Sequence, residues 1–245
     1  MDPTSYRMAH SVYSPVEIED VHYTHLKPKN FRDRLAKAAV TSVRFGFDTV
    51  TGYSAHNMTA SKWLTRIIFL ETIAGVPGMV GGMARHMKSL RRMERDHGWI
   101  HKLLSEAENE RMHLFIFLDL KQPSWAFRTA ICGAQGIFFN FYFLAYLLSP
   151  KFCHRFVGYL EEEAVKTYSI LLKHMDDGHL PEWDNMPAPT EARQYYGLDE
   201  TATFRDVVLA VRADEAGHRE HNHHFSDLNA NDEFENDTYE ILKKE

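Results

Sequence analysis

Cysteine, glycine and proline are all scarce in this chain of 245 residues. Its two cysteines, Cys132 and Cys153, cannot build a disulfide framework, and no CxxC pair indicates zinc binding or thiol redox chemistry. Thirteen glycines and nine prolines are too few for a collagen-like or linker-rich protein. The 28 basic residues are outnumbered by 34 acidic ones, so the net charge of −6 argues against nucleic acid as a partner. Hydrophobic residues at 44% and charged residues at 25% are typical of a folded globular chain and exclude disorder.

The first thirty residues do not resemble a targeting signal. They lack an apolar core, and they carry Glu17, Glu19 and Asp20, which an acid-poor transit peptide avoids. We therefore expect either a bacterial protein or a mature or trimmed organellar form. No internal domain boundary is evident, so the sequence predicts an N-terminal arm over 1–30, a single domain over 31–226 and a polar C-terminal tail over 227–245.

One long uncharged run indicates contact with a membrane. Residues 129–150 contain no charged side chain and are numerous enough to cross a hydrocarbon core of roughly 30 Å as a helix. Gln135, Asn140 and two glycines within the run argue against a span, as does the mean hydropathy of −0.40 for the whole chain. Residues 31–49 add an amphipathic pattern with a basic side, which suits either an ordinary surface helix or one that meets anionic lipid. We expect a monotopic membrane protein.

Apolar residues recur at helical spacing along nearly the whole chain, and no βαβ alternation or phosphate-binding glycine loop interrupts them. The predicted class is all-α. After 31–49, the predicted helices cover 61–95, 98–120, 124–148, 151–176 and 199–226, with a polar loop at 176–190. The helix over 61–95 could be kinked at Pro77, and the helix over 98–120 should end near Pro123. Ser61 is a plausible N-cap for the helix over 61–95, and Asp199 or Thr201 for the helix over 199–226.

Two Glu-x-x-His segments lie on different predicted helices. At i and i+3 on a helix, Glu and His project in the same direction and can bind one metal ion together. Each of these helices is preceded by one that carries a glutamate on an apolar face, where an unpaired carboxylate is costly. A Glu helix followed by a Glu-x-x-His helix, twice over, is the pattern of di-iron carboxylate proteins with a ferritin-like four-helix bundle. The predicted ligands are Glu71, Glu110, His113, Glu161, Glu215 and His218.

Rotation around the predicted helix distinguishes the three adjacent glutamates at 161–163. Glu161 shares its face with small and apolar residues and with Tyr168, which suits a bridging or terminal metal ligand. Glu162 lies on a basic face and is expected to be a solvated partner of Lys166, whereas Glu163 could line a pocket wall. Tyr168 should lie near the metals, either as a core tyrosine with a bonded hydroxyl or in a redox or proton-relay role.

Four linked motifs resemble the alternative oxidases, which are membrane-bound di-iron quinol oxidases. They are LET at 70–72, NERMHL at 109–114, LEEEA at 160–164 and RADEAGH at 212–218, and the resemblance covers about residues 28–226. One departure is visible, because the family usually has histidine where Gly217 stands. No thiol precedes Cys132, so regulation by a 2-oxo acid on an N-terminal cysteine is not expected.

This resemblance implies that the protein oxidises two ubiquinol molecules and reduces dioxygen to water, without proton pumping and in the presence of cyanide. It implies two iron ions, a ferritin-like bundle with two additional membrane-interface helices, contact with membrane lipid and a homodimer. The expected location is the matrix face of the mitochondrial inner membrane or the cytoplasmic face of a bacterial membrane. By similarity, the quinol pocket would be formed by Arg44, Asp48, Arg66, Leu70, His154, Leu160, Glu163, Ala164 and Thr167.

Catalytic roles are expected for Tyr168, Glu163, Asn109 and Asp214. Asn109 and Asp214 each precede a ligand glutamate and could hydrogen-bond the ligand histidines, although a helix cap or a surface site would explain them equally well. His154 could instead cap the start of its helix at the surface. The remaining histidines, including His221, His223 and His224, are expected to be solvated.

Three other functions stay open. A plastid-type terminal oxidase would share the metals, fold and quinol chemistry, although NERMHL favours the mitochondrial and bacterial branch. A ferroxidase of the ferritin class would have no lipid-facing helix, which the run at 129–150 argues against. A non-enzymatic helical bundle on a membrane surface would require all six predicted ligands to be accidental.

Overall fold

The computed structural model describes residues 10, 12–54 and 57–234 and confirms the all-α class. Within these residues no strand occurs, and the only β-type pairing is an isolated bridge between Pro187 and Thr203. A 3₁₀ turn lies at Pro181–Trp183. The α-helices are α1 (Pro15–Glu19), α2 (Phe31–Thr51), α3 (Ala60–Arg92), α4 (Trp99–Leu118), α5 (Trp125–Leu148), α6 (Pro150–Asp176), α7 (Thr190–Tyr196) and α8 (Phe204–Asp227).

Short polar side chains begin the long helices, in places at other residues than predicted. Thr59, not Ser61, caps α3, because its side chain accepts a hydrogen bond from the backbone N–H of Lys62. Thr203 caps α8 and forms a reciprocal capping box with Asp206, which satisfies two backbone donors at once. Asp199 instead accepts the backbone N–H of Thr201 in the preceding turn, so the predicted start of α8 was too early.

The bundle consists of α3, α4, α6 and α8. Helix α3 packs along α4, and α6 packs along α8. Glycine allows the first pair to approach closely, because a Cβ on Gly78 would stand 2.5 Å from the carbonyl oxygen of Leu103. Helix α3 continues through Pro77 as a single helix. The likeness to ferritins in particular stays a prediction.

Two helices flank this bundle and leave apolar side chains exposed. Helix α2 packs on α6, and α5 packs mainly on α3. In α5 only Tyr142 and Tyr146 are buried. By length and composition alone, α3 and α5 could each cross a membrane, but half of the apolar window of α3 is buried in the protein, against 11% for α5. Helix α5 therefore presents an apolar outer face that the described chain leaves largely uncovered.

Both terminal segments contact the bundle. Ile18 of α1 lies in the main hydrophobic core. At the other end, Phe234 is buried against Phe225 of α8 and near Trp99 of α4. The part of the predicted polar tail up to residue 234 thus includes a packed aromatic side chain, whereas 235–245, like residues 1–9 of the predicted arm, lie outside the described residues.

Candidate metal centre

The six predicted ligands converge inside the four-helix bundle, and each is buried, with at most 6% of its surface exposed. Their donor atoms form two groups in which all atoms lie within 4.8 Å of one another. Glu110 and Glu215 belong to both groups, so each could contribute to both sites. Glu71 with His113 completes one group, and Glu161 with His218 completes the other. The fold therefore brings together two adjacent potential metal sites with two shared ligands.

Several donor atoms at this centre lack a protein partner. Glu71 Oε2, Glu110 Oε2 and His113 Nδ1 are buried without a hydrogen bond to any described residue. Buried polar atoms are normally hydrogen-bonded, so unsatisfied atoms that face one another fit a site that binds a cation. His113 Nδ1 lies 3.4 Å from Glu71 Oε2 and 3.5 Å from Glu215 Oε1, so all three point at a common space. Four carboxylates and two imidazoles suit iron, manganese or zinc.

The electrostatics of the centre also favour binding of a cation. Burial, together with the neighbouring carboxylates, raises the pKa of Glu71 and that of Glu161 above the usual range. Burial acts in the same direction on Glu110, but hydrogen bonds and attraction from His113 and His218 outweigh it and lower its pKa. Four glutamates cannot all be ionised in this buried space without compensation. Two divalent ions would neutralise them.

Tyr168 of α6 lies beside the centre, as its position on the face of Glu161 predicts. Its hydroxyl donates a hydrogen bond to Glu71 Oε1, and the side chain is 3% exposed. This bond leaves Oε2 of the same carboxylate facing the potential ligands. Tyr168 thus contacts a predicted ligand directly, which keeps both of its expected roles open.

Asp214 and Asn109 lie behind the predicted ligands. Asp214 Oδ2 is 2.9 Å from His113 Nε2, as expected for a residue that orients a ligand histidine. Asn109 Nδ2 donates to the same oxygen at 2.9 Å, so it bonds to Asp214 and not to a histidine. Tyr196 of α7 also donates to Oδ2, at 2.8 Å. No periodic sequence pattern predicts α7, because a helix of seven residues shows too few turns of apolar repeat, and its contribution was missed.

A cavity of about 290 Å³ lies between α2, α3, α5 and α6 and reaches the centre at Glu71, Glu161 and Tyr168. Its walls are almost entirely apolar. Seven of the nine residues expected in a quinol pocket line it, namely Arg44, Arg66, Leu70, Leu160, Glu163, Ala164 and Thr167. Asp48 lies behind the wall and pairs with both arginines.

The arginines of this cavity are held by an ion-pair network. Arg44 Nη1 donates to Glu163 Oε2 at 3.2 Å and to Thr167 Oγ1 at 3.1 Å. Arg66 bonds to Asp48 through Nη2, as expected of a charge that needs a carboxylate, but its buried Nε and Nη1 have no partner among the described residues. Arg66 therefore lines the cavity with a guanidinium whose hydrogen-bonding capacity the described residues do not fully use.

Comparison with known proteins identifies the family. A model of the alternative oxidase family matches residues 13–227. The chain belongs to this family. It is 52% identical over 231 residues to the mitochondrial alternative oxidase of Aspergillus niger, a match that covers 90% of this chain and 66% of that protein. The protein of the same name from Wickerhamomyces anomalus is 47% identical over 235 residues, covering 89% of this chain and 69% of its own length. The chain thus spans about two thirds of these relatives.

Not every residue expected by resemblance to the alternative oxidases lies at the cavity. His154 is buried elsewhere, with Nε2 3.0 Å from the hydroxyl of Tyr146 and Nδ1 3.2 Å from Asn222. It is neither a surface cap nor part of the cavity wall. Burial lowers its pKa to about 4, so this imidazole is neutral at pH 7.

Two expectations of solvated side chains were wrong. Glu162 is 3% exposed, and it accepts the backbone N–H of Leu26 at 2.8 Å and lies 3.0 Å from His223 Nε2. Lys166 lies nearer to Glu163, at 3.8 Å. His223, expected in solvent, is itself buried between Glu162 and Arg155. These partners come from α8 and from the N-terminal arm, which a single-helix projection does not include.

Glu106 is a further buried carboxylate near the centre that was not predicted. It precedes Glu110 by one helical turn and is 6% exposed. Asn222 Nδ2 donates to its Oε2 at 3.0 Å. The i, i+4 spacing from a predicted ligand could have indicated that Glu106 faces inward, since both lie on the same side of α4.

Proposed function

We propose that this protein is a di-iron oxidase that couples the oxidation of ubiquinol to the reduction of dioxygen to water. The single observation that carries the proposal is the junction of two overlapping Glu/His groups with an apolar cavity. A cavity with apolar walls and a few polar groups fits a prenylated quinol. The ligands Glu71, Glu110, His113, Glu161, Glu215 and His218 would hold the two ions.

The side chains of the cavity have separate tasks in this proposal. Arg66, with two unsatisfied donors, binds an oxygen of the quinol ring, and Asp48 keeps its guanidinium in place. Glu163 and Arg44, which are hydrogen-bonded to each other, orient a quinol hydroxyl. Leu70, Leu160 and Ala164 contact the apolar ring and tail.

At the centre, the protein supplies orientation and charge. Asp214 fixes the orientation of His113, and Tyr168 fixes that of Glu71. The two Glu/His groups would therefore keep their geometry when the charge of the bound ions changes. The bound iron ions would supply the oxygen and one-electron chemistry that amino-acid side chains lack. Tyr168 lines the cavity and contacts Glu71, so its hydroxyl is positioned to hold a proton or to pass one between the cavity and the centre.

The surface geometry supports a monotopic attachment. The exposed apolar residues of α5, including Phe141, Leu144 and Leu148, would enter one leaflet, and the basic residues of α2 would lie among headgroups. The quinol would then enter the cavity from lipid. Protease access from each side of a vesicle tests this arrangement, and termini on opposite sides would contradict it. A homodimer is proposed from family likeness and is tested by light scattering.

Iron stoichiometry and oxygen uptake test the function. We expect two irons per chain after reconstitution with Fe(II), and ubiquinol-dependent oxygen uptake that persists in cyanide because no haem–copper centre is involved. Glu110→Gln should lose both iron and uptake, whereas Glu108→Gln, two residues away and paired with the exposed Arg111, should keep both. Well under one iron per chain in the unsubstituted protein, or uptake abolished by low cyanide, would refute the proposal. Faster turnover with plastoquinol than with ubiquinol would favour the plastid-type alternative.

A further inference from the structure

The two carboxylate oxygens of Asp214 contact different parts of the chain. Its Oδ2 contacts the bundle and α7 through His113, Asn109 and Tyr196. Its Oδ1 lies 2.8 Å from His10 Nε2 and accepts the hydroxyl of Tyr13 at 2.5 Å. Both of the latter residues belong to the N-terminal arm. Since Asp214 is 3% exposed, the arm provides the polar partners that solvent would otherwise supply to Oδ1.

The segment that carries these two side chains is fixed to the bundle at several points. This N-terminal strap comprises residues 10 and 12–19. Arg212 of α8 donates through Nη2 to the carbonyl of Ile18 at 3.0 Å, and Arg205 pairs with Glu19 at 3.3 Å. The ring of His10 packs on Tyr195 of α7, with centroids 4.6 Å apart. The side chain of Val12 lies next to Gly197, where an added Cβ would meet it at 3.3 Å.

We propose that the N-terminal strap is a positioning element of the metal centre, in which His10 and Tyr13 hold Asp214 so that Asp214 holds His113. This inference rests on the proposed function. With Asp214 fixed, His113 donates its Nε2–H to the carboxylate, and the lone pair of Nδ1 is left to face Glu71 and Glu215. Without the two donors of the strap, a buried anionic oxygen would be unsatisfied, so Asp214 would rotate or admit water. His113 would then lose its fixed tautomer and direction.

Cobalt(II) binding to the entire 245-residue chain tests this role without enzyme turnover. Residues behind a metal ligand typically change metal affinity by about 10- to 100-fold. We expect about 10-fold weaker Co(II) binding in Tyr13→Phe, which keeps the ring and removes only the hydroxyl, and about 100-fold weaker binding in the His10→Leu/Tyr13→Phe double variant. The visible absorption bands of bound Co(II) should also shift, since they report ligand geometry. Tyr23→Phe is the matched control, because Tyr23 is a half-exposed tyrosine of the same arm and should leave both readouts unchanged.

A conservative variant separates positioning from simple stabilisation. His10→Gln retains an N–H donor at a reach similar to that of Nε2, so it should restore most of the affinity that His10→Leu loses. If Co(II) affinity and spectrum are unchanged in Tyr13→Phe and in the double variant, the strap has no positioning role, even if the melting temperature falls. Should the double variant not fold, Tyr13→Phe alone decides the question.

The result for the unsubstituted protein distinguishes the two proposals. If it binds two Co(II) ions and the variants bind them equally well, the strap inference fails while the proposed function stands. If it binds neither Co(II) nor Fe(II), the proposed function fails, and the strap has no metal centre to position.

Discussion

Substitution of Gly78 by alanine tests how closely the fold holds the two halves of the centre together. Gly78 faces α4 about two helical turns after Glu71. A Cβ there would stand 2.5 Å from Leu103 O and 3.1 Å from the backbone nitrogen of Ala107. Both atoms belong to the backbone of α4, so no side chain can rotate away. The two helices would have to separate, and Glu71 would move away from Glu110.

The size of the effect follows from two opposing contributions. Overpacking of a close contact costs about 1–3 kcal/mol, whereas alanine in a helix interior is up to about 1 kcal/mol more favourable than glycine. Gly217→Ala is the matched control, because it brings the same helix gain but its Cβ would meet only His221 Cε1, at 3.9 Å. The difference between the variants therefore isolates the steric cost. At about 2–4 °C per kcal/mol for a chain of this size, Gly78→Ala should melt about 2–12 °C below Gly217→Ala.

Both variants would be melted as metal-free protein in detergent and then reconstituted with Fe(II) for elemental analysis. We expect reduced iron content in Gly78→Ala and normal content in Gly217→Ala, although Gly217 adjoins the predicted ligand His218. If Gly78→Ala melts at or above its control, the close approach of α3 and α4 is not as described and the reasoning is refuted. A lower melting temperature with full iron content would show that the separation does not extend to Glu71.

Three further outcomes are expected. Tyr168→Phe removes the hydrogen bond to Glu71 and should lower the free energy of unfolding by about 0.5–1.5 kcal/mol. If the hydroxyl takes part in oxygen reduction, quinol-dependent oxygen uptake should also collapse while iron content holds. Full turnover would leave Tyr168 only its role in the core. Because the pKa of His154 is lowered to about 4 in the folded state, the unfolded state binds more protons at mildly acidic pH. Urea denaturation should therefore show the free energy of unfolding falling by up to about 1.4 kcal/mol per pH unit as the pH drops from about 6.5 towards 4. The same slope in His154→Gln would contradict this assignment. Asp33→Ala removes one of the two carboxylates paired with the fully buried Arg155, the other being Asp227, and should cost about 1–3 kcal/mol. Asp177→Ala, which breaks the exposed pair with Lys173, should change stability much less, and equal losses in chemical denaturation would show that burial does not decide the difference.

The clustering of the predicted ligands could be anticipated because the geometry within each Glu-x-x-His pair is local. Glu110 with His113, and Glu215 with His218, are three residues apart, and the helical period alone places each pair on one side of its helix. Glu71 stood out because its neighbours are apolar, which makes an unpaired carboxylate costly there. The long helices were predictable because the repeat of apolar residues along each helix is also local. Errors at their ends arise because neighbouring residues, such as Thr59 and Ser61, can each cap a helix.

The surroundings of the ligands depended on contacts between segments far apart in the sequence. Projection of α6 alone puts Glu162 on a basic, solvated face, but α8 and the N-terminal arm cover that face and supply His223 and Leu26 N–H. His154 is likewise covered by α5 and α8. Asp214 gathers partners from α4, α7 and the strap, up to 204 residues away. A helix repeat determines which side chains share a face, but only the packing of other segments determines whether that face meets a metal, another polar group or water.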